Sequence, residues 1–206
     1  MLSPRQEEPE FTVLLVCTGN ICRSALAERL GRAYLDEVLG PDAGAIRLVS
    51  AGTRAVVGSA MHPDTALVLT GLGGDAGDFT ARQLADRMVM DADLVLTMTR
   101  QHRRDVLELA PRALSRTFTL REAAGLLEHV DQDVPREEFA ERACALVGAL
   151  AAARSRRRSS SDDDVPDPIG QPVEAHAEAG ELIAPALIEV LSRLAALRAE
   201  GAAVGP

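Results

Sequence analysis

An apolar run, Phe11 to Val16, ends on Cys17-Thr18-Gly19-Asn20-Ile21-Cys22-Arg23-Ser24 and passes directly into a helical pattern that reaches Leu39. The run places apolar residues in succession, as a strand buried on both faces does. After it, Leu26, Leu30, Ala33, Tyr34 and Val38 fall on one helical stripe, and Gly40-Pro41 stops the helix. A buried parallel strand feeding a helix through a short loop favours an α/β chain. The rest of the chain repeats the alternation. Ile46 to Val49, Asp93 to Met98 and Arg116 to Leu120 read as further strands. Segments from His62 to Leu72, Arg100 to Leu109, Glu122 to His129, Pro135 to Ala153 and Glu174 to Arg198 read as helices. The expected fold class is α/β: a single three-layer domain, with a four-stranded parallel sheet flanked by helices on both faces.

The domain is expected to span 11–198 of the 206 residues, between a disordered tail at 1–10 and a C-terminal tail at 199–206. Hydrophobic residues make up 47% and aromatic ones only 2%, so the core must be aliphatic. One segment, from Arg154 through Arg156-Arg157-Arg158 and three serines to Asp162-Asp163-Asp164, has nothing to bury. It is expected as a mobile surface insertion at about 154–164. The net charge of −9 argues against a nucleic-acid partner. Met1 to Glu10 lacks the apolar centre of a signal peptide, and no run reaches membrane-spanning length. Three cysteines, two of them in one loop, do not make a disulfide framework, so a reducing cytoplasm is expected.

The loop after the first strand carries the chemistry. A bare Cys-x5-Arg spacing is weak: 22 arginines and three cysteines supply it by chance in about a third of chains this long. Context adds to it. A helix N-terminus favours an anion and a thiolate. Gly19 and Asn20 tolerate left-handed backbone, so successive N–H groups can turn inward as a nest. Ser24 can hydrogen-bond the Cys17 thiolate or cap the helix. Arg23 can grip two oxygens of one phosphate in a fork. His62, His102, His129 and His176 are scattered without ligand spacing and read as surface or helix residues, so no metal site is expected. Cys144 sits at helical spacing with Leu146 and Val147 and reads as core.

Val16 to Ser24, directly after a strand, resembles the phosphate-binding loop of the low-molecular-weight protein tyrosine phosphatases, in their bacterial branch. Val165-Pro166-Asp167-Pro168-Ile169-Gly170 resembles the family's Asp-Pro loop, and Ser50-Ala51-Gly52-Thr53 the segment that supports the catalytic loop. The resemblance runs from Phe11 to about Arg198. It implies a cysteine-dependent phosphatase acting on phosphotyrosine through a phosphocysteine, without metal or cofactor. Cys17 would be the nucleophile, Arg23 the oxyanion clamp and Asp167 the general acid. Thr18, Gly19, Asn20, Ile21, Cys22 and Ser24 would bind phosphate, Asn20 and Ser50 would hold the loop, and Ile169 would wall the pocket. Asp162, Asp163 and Asp164 compete with Asp167 for the acid role, but read as solvated charge. In related enzymes a cysteine at the Cys22 position forms a reversible disulfide with the nucleophile.

Two positions depart from the tyrosine-specific pattern, since Ile169 and Gly170 stand where aromatic residues commonly wall the pocket. A phosphoarginine-specific branch shares the glycine but carries threonine at the position of Ile21. Phosphotyrosine is therefore the leading substrate and phosphoarginine the alternative. An arsenate reductase would need a cysteine relay beyond the loop, and only Cys144 remains for it. A non-catalytic phosphoprotein-binding module fits less well, because the three reactive residue types are all present. The expected partner is a phosphorylated protein, a tyrosine kinase among the candidates, or a small phosphomonoester.

Overall fold

A computed structural model describes residues 10–130 and 138–202. Of the tails expected at 1–10 and 199–206, residues 1–9 and 203–206 lie outside the described residues, as does the helical start expected at 135–137. Four strands, β1 (Phe11–Cys17), β2 (Ile46–Gly52), β3 (Leu94–Thr97) and β4 (Thr117–Thr119), form one parallel sheet in the order β2-β1-β3-β4. The register runs from Phe11 opposite Ile46 to Cys17 opposite Gly52, and from Val13 opposite Leu94 to Val16 opposite Thr97. The carboxyl ends of the three adjacent strands therefore meet at one edge, the usual place for a site in an open parallel sheet.

Alternate residues of β1 serve the two faces, as strand geometry requires. Phe11, Val13 and Leu15 belong to the larger core, with Leu26 and Leu30 of α1 (Arg23–Leu39), Leu126 of α5 (Leu120–Leu126), Leu146 of α6 (Phe139–Ala153) and Leu187 of α7 (Val173–Ala202). Leu14 and Val16 enter a smaller core with Val89 of α3 (Asp86–Asp91) and Val106 of α4 (Arg100–Leu109). The nine-residue α2 (Pro63–Gly71) places Leu69 in the larger core beside α7. Burying each Leu or Val of β1 stabilises the sheet by about 1.5–3 kcal/mol. The three layers expected from the alternation are present.

Several details differ from expectation. The six-residue α3 had no sequence signal, because so few residues cannot display a helical period. β2 continues through Ser50 and Ala51 to Gly52, and α7 extends past Arg198 to Ala202. Cys144 is exposed: Ala143, Leu146, Val147 and Leu150 form the buried stripe of α6, and Cys144 falls outside it.

Segment 154–164 carries two 3-10 turns, Arg154–Arg156 and Ser161–Asp163, and is tied to the domain by its charged side chains. The Arg154 guanidinium lies 3.9 Å from the Phe118 ring centroid, donates to the carbonyls of Leu114 and Thr117, and pairs with Glu122. Asp163 is buried against Arg157 at 2.5 Å. Asp164 accepts from the Arg100 backbone N–H at 2.7 Å and pairs with its guanidinium, so it secures the start of α4. Arginine stems and paired charges thus substitute for the apolar residues the segment lacks.

Candidate active site

Cys17 ends β1 and is buried. The chain then turns through Thr18 to Cys22 before α1 begins at Arg23. A strap at 53–62 holds this loop from outside. Thr53, Arg54, Val56 and His62 donate their backbone N–H groups to the carbonyls of Cys17, Thr18, Gly19 and Ile21, at 2.8–3.0 Å. A trans peptide points its N–H opposite its carbonyl. Four outward carbonyls therefore aim the amides of Thr18, Gly19, Asn20 and Cys22 at the concave side. Strap and loop lie so close that a Cβ on Gly52 would stand 2.4 Å from the Thr18 carbonyl oxygen. Only glycine fits there.

Asn20 fixes the turn. Its φ of 54° is left-handed, a region asparagine tolerates better than most residues. Its side chain is buried and fully bonded. Oδ1 accepts from the Arg82 backbone N–H at 2.7 Å, while Nδ2 donates to Ser24 Oγ at 2.9 Å and to Ser50 Oγ at 2.8 Å. Each serine oxygen accepts from Asn20, so its own proton is free to donate onward. Ser50 donates to Glu28, which also pairs with Arg82. Ser24 lies 2.9 Å from Cys17 Sγ, and the Asn20 backbone N–H donates to the same sulfur at 3.3 Å. Two donors thus converge on the thiol, as stabilisation of a thiolate requires.

Arg23 is 4% exposed. Its Nη1 donates to the Val165 carbonyl at 3.0 Å and its Nη2 to Thr18 Oγ1 at 3.4 Å, and Nη2 meets Asp167 Oδ2 at 2.6 Å. Its Nε–H is buried without a hydrogen-bond partner among the described residues. Val165 is tied to the end of β3 through a 2.8 Å bond from its N–H to the Met98 carbonyl, which brings the Asp167 segment to the same edge as the loop. Asp167 Oδ1 accepts from the Ile169 N–H, and a turn from Pro168 to Gln171 follows, with Gly170 at φ 72°. Positive φ at the third position of such a turn selects glycine, which gives a backbone reason for the missing aromatic at Gly170. Ile169 is 47% exposed, and Ile21 is half-buried beside Gly19.

Cys17, Arg23, Asp167, Ser24, Asn20 and Ser50 are therefore brought together, although Asp167 and Cys17 lie in distant parts of the chain. Of the competing carboxylates, Asp163 and Asp164 are engaged with Arg157 and Arg100, and neither is the solvated charge expected. Asp162 sits exposed in the second 3-10 turn.

Three of the four histidines, scattered along the sequence, lie close to the loop. His102, near the start of α4, is buried, with Nε2 2.8 Å from Thr18 Oγ1 and Nδ1 2.9 Å from Thr99 Oγ1. Burial first, and the Arg23 charge second, hold its pKa down at about 4, so the ring is neutral at pH 7. It braces the one loop side chain that also touches Arg23. Nothing local in the sequence links His102 to Thr18. The only available signal was Thr99 three residues before it, which caps α4. His62 and His176 stack on each other beside Cys22.

Residues 12–139 match the family model described as "Low molecular weight phosphotyrosine protein phosphatase". The "Probable low molecular weight protein-tyrosine-phosphatase EpsP" of Ralstonia solanacearum is 33% identical over 140 residues, covering 68% of this chain and 86% of that protein. Among solved structures, the low molecular weight protein tyrosine phosphatase of T. tengcongensis superposes with a TM-score of 0.62 at 27% identity, over 88% of this chain and 98% of that one. The YwlE arginine phosphatase of Geobacillus stearothermophilus superposes with a TM-score of 0.63 at 25% identity, over 95% and 98%. The family match takes in the sheet and the loop whose geometry converges on Cys17, and the chain belongs to the low molecular weight phosphotyrosine protein phosphatase family.

Proposed function

We propose that this chain hydrolyses phosphotyrosine through a phosphocysteine on Cys17. The observation that carries the reading is the Arg23–Asp167 pair, 2.6 Å long, which joins a loop residue to the Asp-Pro segment beside the thiol. An entering phosphate dianion displaces the Asp167 carboxylate from Arg23 and takes the guanidinium fork, including the unpartnered Nε–H. Asp167, released from Arg23, takes up a proton from solvent. Cys17 Sγ attacks phosphorus, the bond to the phenolic oxygen breaks, and Asp167 gives its proton to that oxygen. In the second step Asp167 takes a proton from water, the water oxygen bonds to phosphorus, and the sulfur leaves as a thiolate received by Ser24 and the Asn20 N–H. Arg23 and the amides of Thr18, Gly19, Asn20 and Cys22 meet the charge on the equatorial oxygens, where loss of one such donor costs about 10²–10³-fold.

An aliphatic rim supports an aryl substrate. Ile21, Val56 and Ile169 offer apolar surface around the loop, with Val56 and Ile169 each about half exposed. Phosphoarginine is the second reading. Gly170 and the likeness to an arginine phosphatase favour it, while Ile21, lacking a hydroxyl for a guanidinium or a water, weighs against it. Arsenate reduction is disfavoured because the one thiol outside the loop, Cys144, is held on α6 rather than on a segment free to relay electrons. The substrate is a phosphoprotein, a tyrosine kinase being one candidate, or a small phosphomonoester. Three free thiols fit a reducing cytoplasm. Among the described residues no helix is long and apolar enough to cross a membrane.

Turnover of phosphotyrosine, phosphoarginine and phosphoserine peptides tests the reading. Phosphotyrosine should lead, Cys17→Ser should abolish turnover, and Asp167→Asn should slow poor leaving groups far more than good ones. An inert wild type that still binds phosphate would sink the enzymatic reading, and equal losses on both leaving groups would remove Asp167 from the acid role.

A further inference from the structure

Cys22 precedes α1, His62 precedes α2, and His176 lies in the first turn of α7. One donor atom from each lies within 4.8 Å of the other two. The His62 and His176 rings stack with centroids 4.7 Å apart and planes 17° from parallel. The His176 side chain is wholly buried, and its Nδ1 shares a 2.7 Å hydrogen bond with Thr65 Oγ1. That bond fixes the ring and leaves Nε2 for another partner. Among the described residues His176 Nε2 and His62 Nδ1 are both buried with no hydrogen-bond partner. Both approach one carboxylate oxygen, Asp64 Oδ2, at 4.0 and 3.9 Å.

Buried polar atoms without partners are rare and unfavourable. Here two of them adjoin a thiol and a carboxylate, and an apolar core has no need of paired imidazoles. We propose that Cys22, His62 and His176, with Asp64 as the fourth ligand, form a tetrahedral site for Zn²⁺ or another borderline divalent transition ion. The mixed sulfur, nitrogen and oxygen set is the one such ions take, with bonds of about 2.0–2.3 Å; Cys22, His62 and His176 already lie within 4.8 Å of one another, and Asp64 would close from the 3.9–4.0 Å at which it stands from the two rings. The Thr65 bond to the far nitrogen of His176 is the outer support that ligating histidines commonly have. His62, 27% exposed, has room to turn its ring towards the shared point. Binding forms one bond to sulfur, two to nitrogen and one to oxygen, and the Cys22 proton leaves to solvent. No atom changes oxidation state. Occupancy would pin the loop beside Arg23 to α2 and α7.

Titration of the full chain carrying Cys17→Ser with Co²⁺ tests the site, because that substitution removes the other loop thiol. A thiolate-to-cobalt charge-transfer band and tetrahedral d–d bands should saturate at one equivalent and vanish on adding Zn²⁺. His176→Gln and His62→Ala should each weaken binding at least tenfold. Zn²⁺ should raise the melting temperature of the Cys17→Ser protein and leave that of its His62→Ala derivative unmoved. His62 is the safer position should His176→Gln fail to fold. A charge-transfer band seen in wild type and lost with Cys17→Ser, or one undiminished by His62→Ala, would overturn the proposal.

Discussion

Replacing Asn20 separates the two devices that shape the loop. Asn20→Gly keeps the left-handed backbone and removes the side chain. Two donor bonds, to Ser24 and Ser50, disappear, and the half-buried Arg82 N–H loses its acceptor. With about 1 kcal/mol for each lost bond and about 1–2 kcal/mol for the stranded N–H, which is only part-buried, the expected loss is about 3–4 kcal/mol. Asn20→Ala suffers the same losses and must also hold φ near 54°, which adds about 1 kcal/mol. In a domain of this size each kcal/mol lowers the melting temperature by about 2–4 °C, so the two variants should melt about 6–16 °C and about 8–20 °C below wild type. Urea unfolding midpoints measure the free energies, and aryl phosphate turnover measures the site. Ser24, no longer oriented by Nδ2, should present its proton to Cys17 less often, so turnover should fall in both variants. A glycine variant within about 0.5 kcal/mol of wild type would refute the network as the loop's support. An alanine variant as stable as the glycine one would refute the strain contribution.

Three further outcomes are expected. The folded pKa of His102, about 4, lies below the ordinary 6.5, so the unfolded chain takes up the proton first as pH falls; the stability this ring contributes is intact above pH 6.5 and is lost towards pH 4, by up to about 3 kcal/mol. His102→Gln should flatten that limb in urea titrations, and an equally steep limb would assign it to other groups. Arg157→Ala leaves the buried Asp163 carboxylate without its ion-pair partner and should cost about 2 kcal/mol, a figure reduced for the partial exposure of Arg157, with Arg157→Ala/Asp163→Ala recovering part of it in calorimetry; deletion of 156–162 should likewise lower the melting temperature, and no change would return the segment to the status of a loose insertion. Gly52→Ala drives a Cβ into the Thr18 carbonyl and should cost about 1–3 kcal/mol together with most phosphate affinity, so normal phosphate binding by calorimetry would show that the strap yields.

The strand-loop-helix unit was legible in a local pattern, an apolar run before Cys17, and Asp167 and Ser50 through the resemblance of their segments to the family's Asp-Pro and supporting loops. Asn20 was legible locally, as a residue tolerant of left-handed backbone within the loop. What escaped depends on pairs far apart in sequence. His102 acquires its role only when α4 is laid against the loop, and His62 meets His176 only when α2 packs on α7. Arg154 looked like solvent-facing charge until Phe118 lay beneath it. Cys144 was misplaced because a cysteine one residue from a buried stripe gives the same local pattern as one within it.

The strap at 53–62 holds the loop carbonyls of Cys17, Thr18, Gly19 and Ile21 through main-chain bonds. The aim of the cradle's amides is thus set by backbone, with Gly52 at the strap's root the residue whose identity it needs. Val56 and Val57, both well exposed, are free to vary while the amides beneath keep their aim. Chemistry and discrimination are in this way written in different materials, the first in backbone and the second in side chains. Selection can redraft the rim for a new phosphorylated partner one residue at a time, and the reaction at its centre need not be reinvented.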